Sequence, residues 1–117
     1  MISIDVETVD HGEQRYETCG DWENYDNHFI IRVSDCDNWR YEALVAVHEI
    51  VEALICKSNG ITQEVVDEYD MNEDGDAELP ECPYHDEHAI ASAVERLLAV
   101  SLGVNWSEYE KALPETR

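Results

Sequence analysis

Basic residues are scarce in this chain: seven Lys and Arg stand against 28 Asp and Glu, so the formal net charge is −21 at pH 7. Nucleic acids and anionic membranes bind positively charged protein surfaces, which release counterions or contact headgroups. We therefore expect neither nucleic acid nor a membrane as a partner. The acidic excess favours a cation or a basic protein as a ligand, or serves solubility alone.

The sequence also lacks a long apolar segment and the start of a secretory signal. No stretch reaches the roughly 18 to 20 apolar residues of a membrane span, and residues 1–5 lack the basic start of a signal peptide. No C-x-x-C pair occurs among Cys19, Cys36, Cys56 and Cys82. Free thiols in a reducing compartment are therefore favoured over disulfides or a four-cysteine zinc site. We expect a cytoplasmic protein.

The residues that are present predict one folded domain, 1–117. A chain of 117 residues has the usual size of one domain, and 44% hydrophobic residues are enough to build a core. Alternating apolar and polar residues at 2–9 predict a half-buried strand, and residues 28–34 predict a second strand. Between them, residues 10–27 are predicted to form an irregular segment anchored by aromatic side chains.

Capping residues and hydrophobic periodicity predict four helices in the rest of the chain. They run from a cap at Asp35 or Asp37 to about Lys57, from Thr62 through Tyr69, from near His85 to Leu102, and from Asn105 through Leu113. An acidic loop is expected at 70–83. The predicted fold class is α+β, with a small N-terminal antiparallel sheet of two or three strands packed on three or four helices.

The first predicted helix is apolar nearly all round but carries His48 and Glu52 one turn apart. Ionisable groups between apolar flanks are costly unless they are paired or bound to a cation. The i, i+4 spacing lets a helix present two ligands to one metal, as in the HExxH motif, where the intervening Glu is the general base. In this chain Glu49 occupies the place of that base.

The third predicted helix carries further ligand types on one polar face, His85, His88, Ser92, Glu95 and Arg96. Its opposite face is predicted to be buried through Ala91, Val94, Leu97, Leu98 and Leu102. If this helix packs beside the first, His88 or His85 completes a set of two histidines and one carboxylate with an open fourth position, which is the composition of a catalytic zinc site. Glu95 then either orients a ligand from behind or pairs with Arg96.

Several segments together resemble a family of small bacteriophage and prophage proteins. They are Arg15 to Trp22, His48 to Leu54, Gly60-Ile61, Val66 to Asp70, Pro83 to Ala89 and Glu95-Arg96. This resemblance spans most of the chain. It implies an acidic phage protein with a metal-binding helix.

More distantly, a strand at Phe29 to Ser34 followed by the His48-Glu49 helix is similar to the minimal zincin metallopeptidases. The resemblance implies a zincin-like fold and hydrolysis of a peptide or amide bond. It also implies His48, Glu52 and His88 as metal ligands and Glu49 as the general base. Zinc is the expected metal, and the carboxylate of Glu52 in place of a histidine favours Mn²⁺ or Fe²⁺ as alternatives.

Two further roles depend on the hydrolase interpretation. The strand at 29–34, placed at an edge of the sheet, would bind an extended peptide by strand addition. Tyr84 is a candidate for the group that stabilises the oxyanion, on position alone, although a packing role for its ring is the simpler interpretation.

A calcium site is an alternative in the acidic loop. Asp70, Asn72, Asp74 and Glu81 occupy the first, third, fifth and twelfth positions of a calcium-loop pattern, with Gly75 at the sixth. Against calcium, eleven acids and no Lys or Arg occur between residues 64 and 87, so such a pattern arises easily by chance.

Two other functions remain open. Glu49 with Glu52 and Glu64 with Asp67 match the paired carboxylates of magnesium-dependent, all-α nucleotide pyrophosphatases, although the predicted strands do not suit a helical bundle. Alternatively, the chain is a non-enzymatic acidic protein that binds a metal or a basic host protein. That last function predicts acids spread over the surface, whereas the hydrolase predicts that the ligand residues converge.

Overall fold

The computed structural model of the protein describes residues 1–72 and 74–113. Its strands are β1 (Ser3–Val9), β2 (Gly20–Tyr25) and β3 (His28–Ser34), and its helices are α1 (Trp39–Ser58), α2 (Gln63–Asp70), α3 (His85–Ser101) and α4 (Trp106–Ala112). The predicted α+β class is confirmed. Within the described residues, no helix combines the length and the apolarity needed to cross a bilayer.

Side-chain caps set the first turn of three helices. Thr62 accepts a hydrogen bond from the backbone N–H of Val65, and Asn105 accepts one from that of Glu108. Both caps confirm the sequence prediction. The cap of α1 is Asn38 rather than Asp35 or Asp37. A carboxamide oxygen at this position satisfies N–H groups of the first turn that have no helical partner.

The sheet is mixed, and the prediction of an antiparallel sheet is wrong. Its strand order is β1-β3-β2, with β1 parallel to β3 and β2 antiparallel to β3. The unpredicted strand β2 causes this order. It forms a tight hairpin with β3 through Asp26, whose φ of 60° belongs to a turn. With one edge of β3 taken by the hairpin, β1 pairs along the other edge in the parallel direction.

Strand β1 is exposed on both faces rather than half-buried as predicted. Ile4 and Val6 lie opposite Phe29 and Ile31 of β3, on the face of the sheet that carries the core. Helix α1 packs on β2 and β3, so β1 extends past the helix. Consequently Val6 keeps 49% of its surface exposed.

The core lies between the inner face of β3 and α1. Phe29, Ile31 and Val33 of the strand are almost fully buried, as are Leu44 and Cys56 of the helix. Both α3 and the sheet pack against α1, which makes α1 the central element of the fold. Polar residues of α1 therefore lie in the interior of the protein.

Helix α3 buries part of its predicted apolar face and, in addition, Glu95 from its polar face. Ala91 is fully buried and Leu98 and Leu102 pack against the core, as predicted, whereas Leu97 is 70% exposed. The prediction is wrong for Leu97, and Glu95 is buried because the edge of α3 that carries His88 and Glu95 faces His48 of α1. Contacts between polar groups therefore contribute to the packing of α3 on α1.

Arg15 anchors the segment before β2 to both the sheet and α2. Its guanidinium binds both carboxylate oxygens of Asp21 at 2.6 and 2.8 Å and both oxygens of Asp67 at 3.0 and 2.9 Å. Asp21 is only 2% exposed, so its charge depends on this partner. Asp67 is bound here and, among the described residues, does not form a converging group with the Glu49 and Glu52 pair of the pyrophosphatase alternative.

We expect Arg15→Ala to lower the free energy of unfolding by roughly 3 kcal/mol, because it leaves the buried carboxylate of Asp21 without its cationic partner and with a hydrogen bond from the hydroxyl of Tyr16. Urea unfolding followed by circular dichroism measures the change. Arg40→Ala is the matched control: the Arg40 guanidinium lies 4.6 Å above the ring of the exposed Trp39, and its loss should cost less than about 1 kcal/mol. Equal losses in the two variants would contradict the anchoring role of Arg15.

Candidate metal centre

Three side chains from two helices converge on one point of the interior. His48 and Glu52 project from α1 one turn apart, and His88 projects from α3. Among the described residues they are the group whose ligand atoms all lie within 4.8 Å of one another. His48 Nε2 lies 3.3 Å from Glu52 Oε2 and 3.2 Å from His88 Nδ1, and the last two atoms are 3.0 Å apart.

These distances fit the ligands of a single divalent cation. Zinc bonds to nitrogen and oxygen of about 2.0–2.1 Å place two ligand atoms of a tetrahedron roughly 3.3–3.4 Å apart. The three separations lie close to that value. Two imidazoles and one carboxylate leave a fourth position open, which is the donor set of catalytic rather than structural zinc sites.

His48 is oriented from behind by a carboxylate. Its Nδ1 lies 2.8 Å from Glu95 Oε1, and the other oxygen of Glu95 accepts a hydrogen bond of 2.6 Å from the hydroxyl of Tyr109. Because a carboxylate only accepts, Nδ1 of His48 is the donor. In the neutral imidazole this leaves the lone pair on Nε2, directed at Glu52 and His88.

Glu52 is held in the same way by an indole. The Nε1–H of Trp22 donates to Glu52 Oε1 at 3.1 Å, while Oε2 faces the two histidines. One oxygen is thus held by the sheet, and the other contacts the two histidines. Strand β2 therefore positions the carboxylate that α1 supplies.

The centre buries more negative charge than its histidines can neutralise. Glu49, Glu52 and Glu95 are 9%, 4% and 8% exposed. Two cavities adjoin the group, and no Lys or Arg among the described residues lines either of them. Buried carboxylates are stable only when paired, protonated or bound to a cation. This environment favours the binding of a divalent cation.

The protonation of the ligands responds to the same charges. Burial by itself lowers the pKa of His48, but hydrogen bonds to Glu52 and Glu95 and the charge of Glu49 outweigh it and raise the pKa to about 11. Burial raises the pKa of Glu52, yet hydrogen bonds from His48 and His88 lower it to about 2. In the metal-free protein a proton on His48 therefore occupies the place that a cation would take.

Glu49 lies beside the three ligands and faces both cavities. Its Oε2 is 3.8 Å from His48 Nε2. Burial and the charge of Glu52 raise the pKa of Glu49 well above its usual value. A carboxylate with a raised pKa, next to an open metal position, has the properties of a general base.

The absence of a side chain at Gly20 leaves space for the side chain of Glu49. A Cβ at position 20 would lie 2.8 Å from Cγ of Glu49 and 2.6 Å from Cγ1 of Val45. Glycine is therefore required where β2 crosses α1. The sequence offers no signal for this contact, because a lone glycine before an unpredicted strand has many interpretations.

The structure brings His88, not His85, to the group with His48 and Glu52. The Nδ1 of His85 lies 3.2 Å from the carbonyl oxygen of Ala77, in the loop that precedes α3. Tyr84 lines the same cavity as the three side chains, with its ring centroid 6.4 Å from that of His88. Its hydroxyl donates to the carboxylate of Asp70.

The calcium-loop residues are not brought together. Asp70 accepts hydrogen bonds from Tyr84 and from Tyr16, and Asn72 Oδ1 accepts one from the backbone N–H of Asp74. Among the described residues, the carboxylates of Asp70, Asp74 and Glu81 do not form a group close enough for one ion. Asp70 instead contacts Tyr16 and Tyr84, which lie outside the calcium-loop pattern.

The predicted peptide-binding edge is also absent. Strand β3, residues 28–34, is the central strand and pairs with a neighbour on each side. Strand addition at β3 is therefore excluded, because both rows of its backbone groups are already paired. The cysteines agree with the prediction, since all four are free.

We expect Glu95→Gln to weaken metal binding roughly 10- to 100-fold, because an amide neither accepts the His48 proton as strongly nor fixes the tautomer. Competition with a chromogenic chelator measures the affinity. Glu110→Gln is the matched control, since Glu110 is an exposed acid at the same cavity. Unchanged affinity in Glu95→Gln would show that Glu95 is only a structural ion partner.

Comparisons of this chain with family models, with curated proteins and with solved structures find no match. The assignment of a function therefore rests on the geometry and the charge of the centre.

Proposed function

We propose that the protein is a metal-dependent hydrolase of peptide or amide bonds. His48, Glu52 and His88 bind one divalent cation, and Glu49 is the general base. The observation that carries this proposal is the convergence of three ligand atoms from α1 and α3 beside a fourth, buried carboxylate. Neither helix alone contains the complete set.

A bound cation would polarise the scissile carbonyl and lower the pKa of a water molecule at the open position. Zinc is the first choice because two imidazoles and one carboxylate are its usual catalytic ligands. The harder carboxylate of Glu52 makes Mn²⁺ and Fe²⁺ the alternatives.

The other side chains of the centre have separate roles in the proposed reaction. Glu49 removes a proton from the attacking water and passes it to the leaving amine, for which its raised pKa suits it. Glu95, with Tyr109 behind it, keeps His48 in the tautomer that presents Nε2. Trp22 keeps one oxygen of Glu52 directed at the histidines.

The centre is accessible to a substrate. A cavity of about 390 Å³ opens onto His48, Glu49, Glu52 and His88. This volume lies at the lower end of the range found for small-ligand pockets. It suits one side chain or a short peptide segment rather than a large cofactor.

The proposed setting is the cytoplasm, during bacteriophage growth or prophage carriage. Four free thiols suit a reducing compartment. The phage origin depends on the resemblance of the sequence segments alone. Under this proposal the substrate is a peptide or a protein.

The test is hydrolysis of a defined peptide mixture by protein loaded with Zn²⁺, Mn²⁺ or Fe²⁺. We expect cleavage with at least one metal, loss of cleavage on chelation, and recovery when the metal is restored, with products identified by mass spectrometry. One bound metal per chain without any cleavage would favour the alternative of a non-enzymatic metal-binding protein. Absence of metal binding would leave the acidic protein that binds a basic host protein.

A further inference from the structure

The cavity beside the metal centre is strongly acidic. Six of its thirteen lining residues carry carboxylates: Glu17, Glu49, Glu52, Asp70, Asp76 and Glu78. No Lys or Arg of the described chain is among the other lining residues. A divalent cation offsets two of these charges, so the negative charge of the acidic cavity persists in the metal-loaded protein.

One of these acids, Glu49, is buried and yet faces the cavity. It is 9% exposed and borders the acidic cavity, and it makes no hydrogen bond to any described residue, its nearest ionic neighbour being His48 at 3.8 Å. Buried polar groups normally have a partner. Apart from its ion pair with His48, the carboxylate of Glu49 is therefore open to a ligand in the acidic cavity.

The outer acids lie at the mouth of the cavity. Glu17, Asp76 and Glu78 are exposed. Asp76 is held in place, because its Oδ1 accepts a hydrogen bond of 2.9 Å from the backbone N–H of Glu78 and its own N–H lies 3.1 Å from the hydroxyl of Tyr69. Asp76 and Glu78 are therefore joined in one turn, which lines the same cavity as His48, Glu52 and His88.

A second cavity adjoins Glu49. It is bordered by Val45, Trp106 and Leu113 but also by Glu78, Glu95 and Glu110, and its volume is about 320 Å³. The two cavities share Thr18, Gly20, His48, Glu49, Glu78 and His88. Carboxylates therefore line both cavities, and Glu78 borders each of them.

We propose that the acidic cavity binds a positively charged side chain, lysine or arginine, of a peptide substrate next to the bond that is cleaved. This inference rests on the proposed function, because it assigns the substrate class of the same centre. The ammonium or guanidinium group lies between Asp76 and Glu78, and the carbonyl carbon lies near Glu49. Peptides with acidic side chains at this position are repelled.

The test compares two ligands of the zinc-loaded protein by calorimetry: the hydroxamates of Nα-acetyl-lysine and Nα-acetyl-norleucine. They differ by the terminal ammonium group alone, and their hydroxamate groups bind zinc equally. We expect the lysine compound to bind about tenfold more tightly at low salt, as one partly screened ion pair allows. The preference should shrink as salt is raised.

Variants test which residues cause the tighter binding of the lysine compound. Glu78→Gln and Asp76→Asn should each reduce it, whereas Glu68→Gln should preserve it, because Glu68 is an exposed acid that does not line the cavity. Equal binding of the two hydroxamates would overturn the cationic specificity and leave the metal centre intact. Two zinc ions per chain would also overturn it, since the acidic cavity would then be a second metal site. Zinc binding without binding of either hydroxamate would contradict the proposed function itself.

Discussion

Glu49→Gln should lower the rate of peptide hydrolysis roughly 10²- to 10⁴-fold, the usual contribution of a positioned general base. The amide has nearly the same shape, so it occupies the space beside Gly20 without displacing α1. It cannot accept a proton from water. Because Glu49 is not among the three converging ligands, the variant should bind metal as the parent protein does.

The measurement combines steady-state rates on the cleaved peptide with metal content by mass spectrometry. Glu64→Gln is the control, because Glu64 is an exposed acid on α2 that does not line the cavity at the centre. A Glu49→Gln variant that keeps both its metal and its rate would remove Glu49 from the mechanism. Loss of metal in that variant would instead make Glu49 a ligand.

His48→Ala and His88→Ala should each weaken metal binding by at least about 100-fold, because a site with three protein ligands loses one of them and mutations of mere supporting residues already cost about 10- to 100-fold. The two histidines come from different helices. Equal losses would therefore establish a joint site. Metal content and thermal unfolding both report the effect.

The unfolding experiment gives the clearer signal. Metal at about 1,000 times its Kd stabilises a protein by about 4 kcal/mol, and an absent site removes that stabilisation. His85→Ala is the matched control, three residues before His88 on the same helix, with its ring near the Ala77 carbonyl. If His85→Ala loses the metal and His88→Ala keeps it, the assignment of the third ligand is wrong.

Local patterns in the sequence predicted all four helices α1 to α4 and failed for one strand. Thr62 and Asn105 cap helices where expected because capping involves residues only three positions apart. Strand β2, Gly20–Tyr25, was missed because its residues are mostly polar and do not alternate clearly. Its position depends on pairing with β3 and on the burial of Trp22 and Asp21, which are interactions outside the local sequence.

The burial of Glu95 and the exposure of Leu97 on α3 were missed for a related reason. Its periodicity predicts that Leu97 is buried, yet Leu97 is exposed and Glu95 is buried. A hydrophobic pattern describes the preference of one helix for an apolar neighbour. It does not include the hydrogen bonds of 2.8 and 2.6 Å that draw Glu95 to His48 and Tyr109.

The sequence by itself determined the pair His48 and Glu52, because four residues along a helix always bring two side chains to one face. Tertiary structure alone decided between His88 and His85, since the third ligand lies 40 residues from the first and its position depends on how α3 packs on α1. Tertiary structure also decided two supporting contacts. Trp22 donates to Glu52, 30 residues away, and Tyr109 donates to Glu95, 14 residues away. Helical geometry is local and repeats in every helix, whereas the contacts between elements depend on the packing of the whole chain.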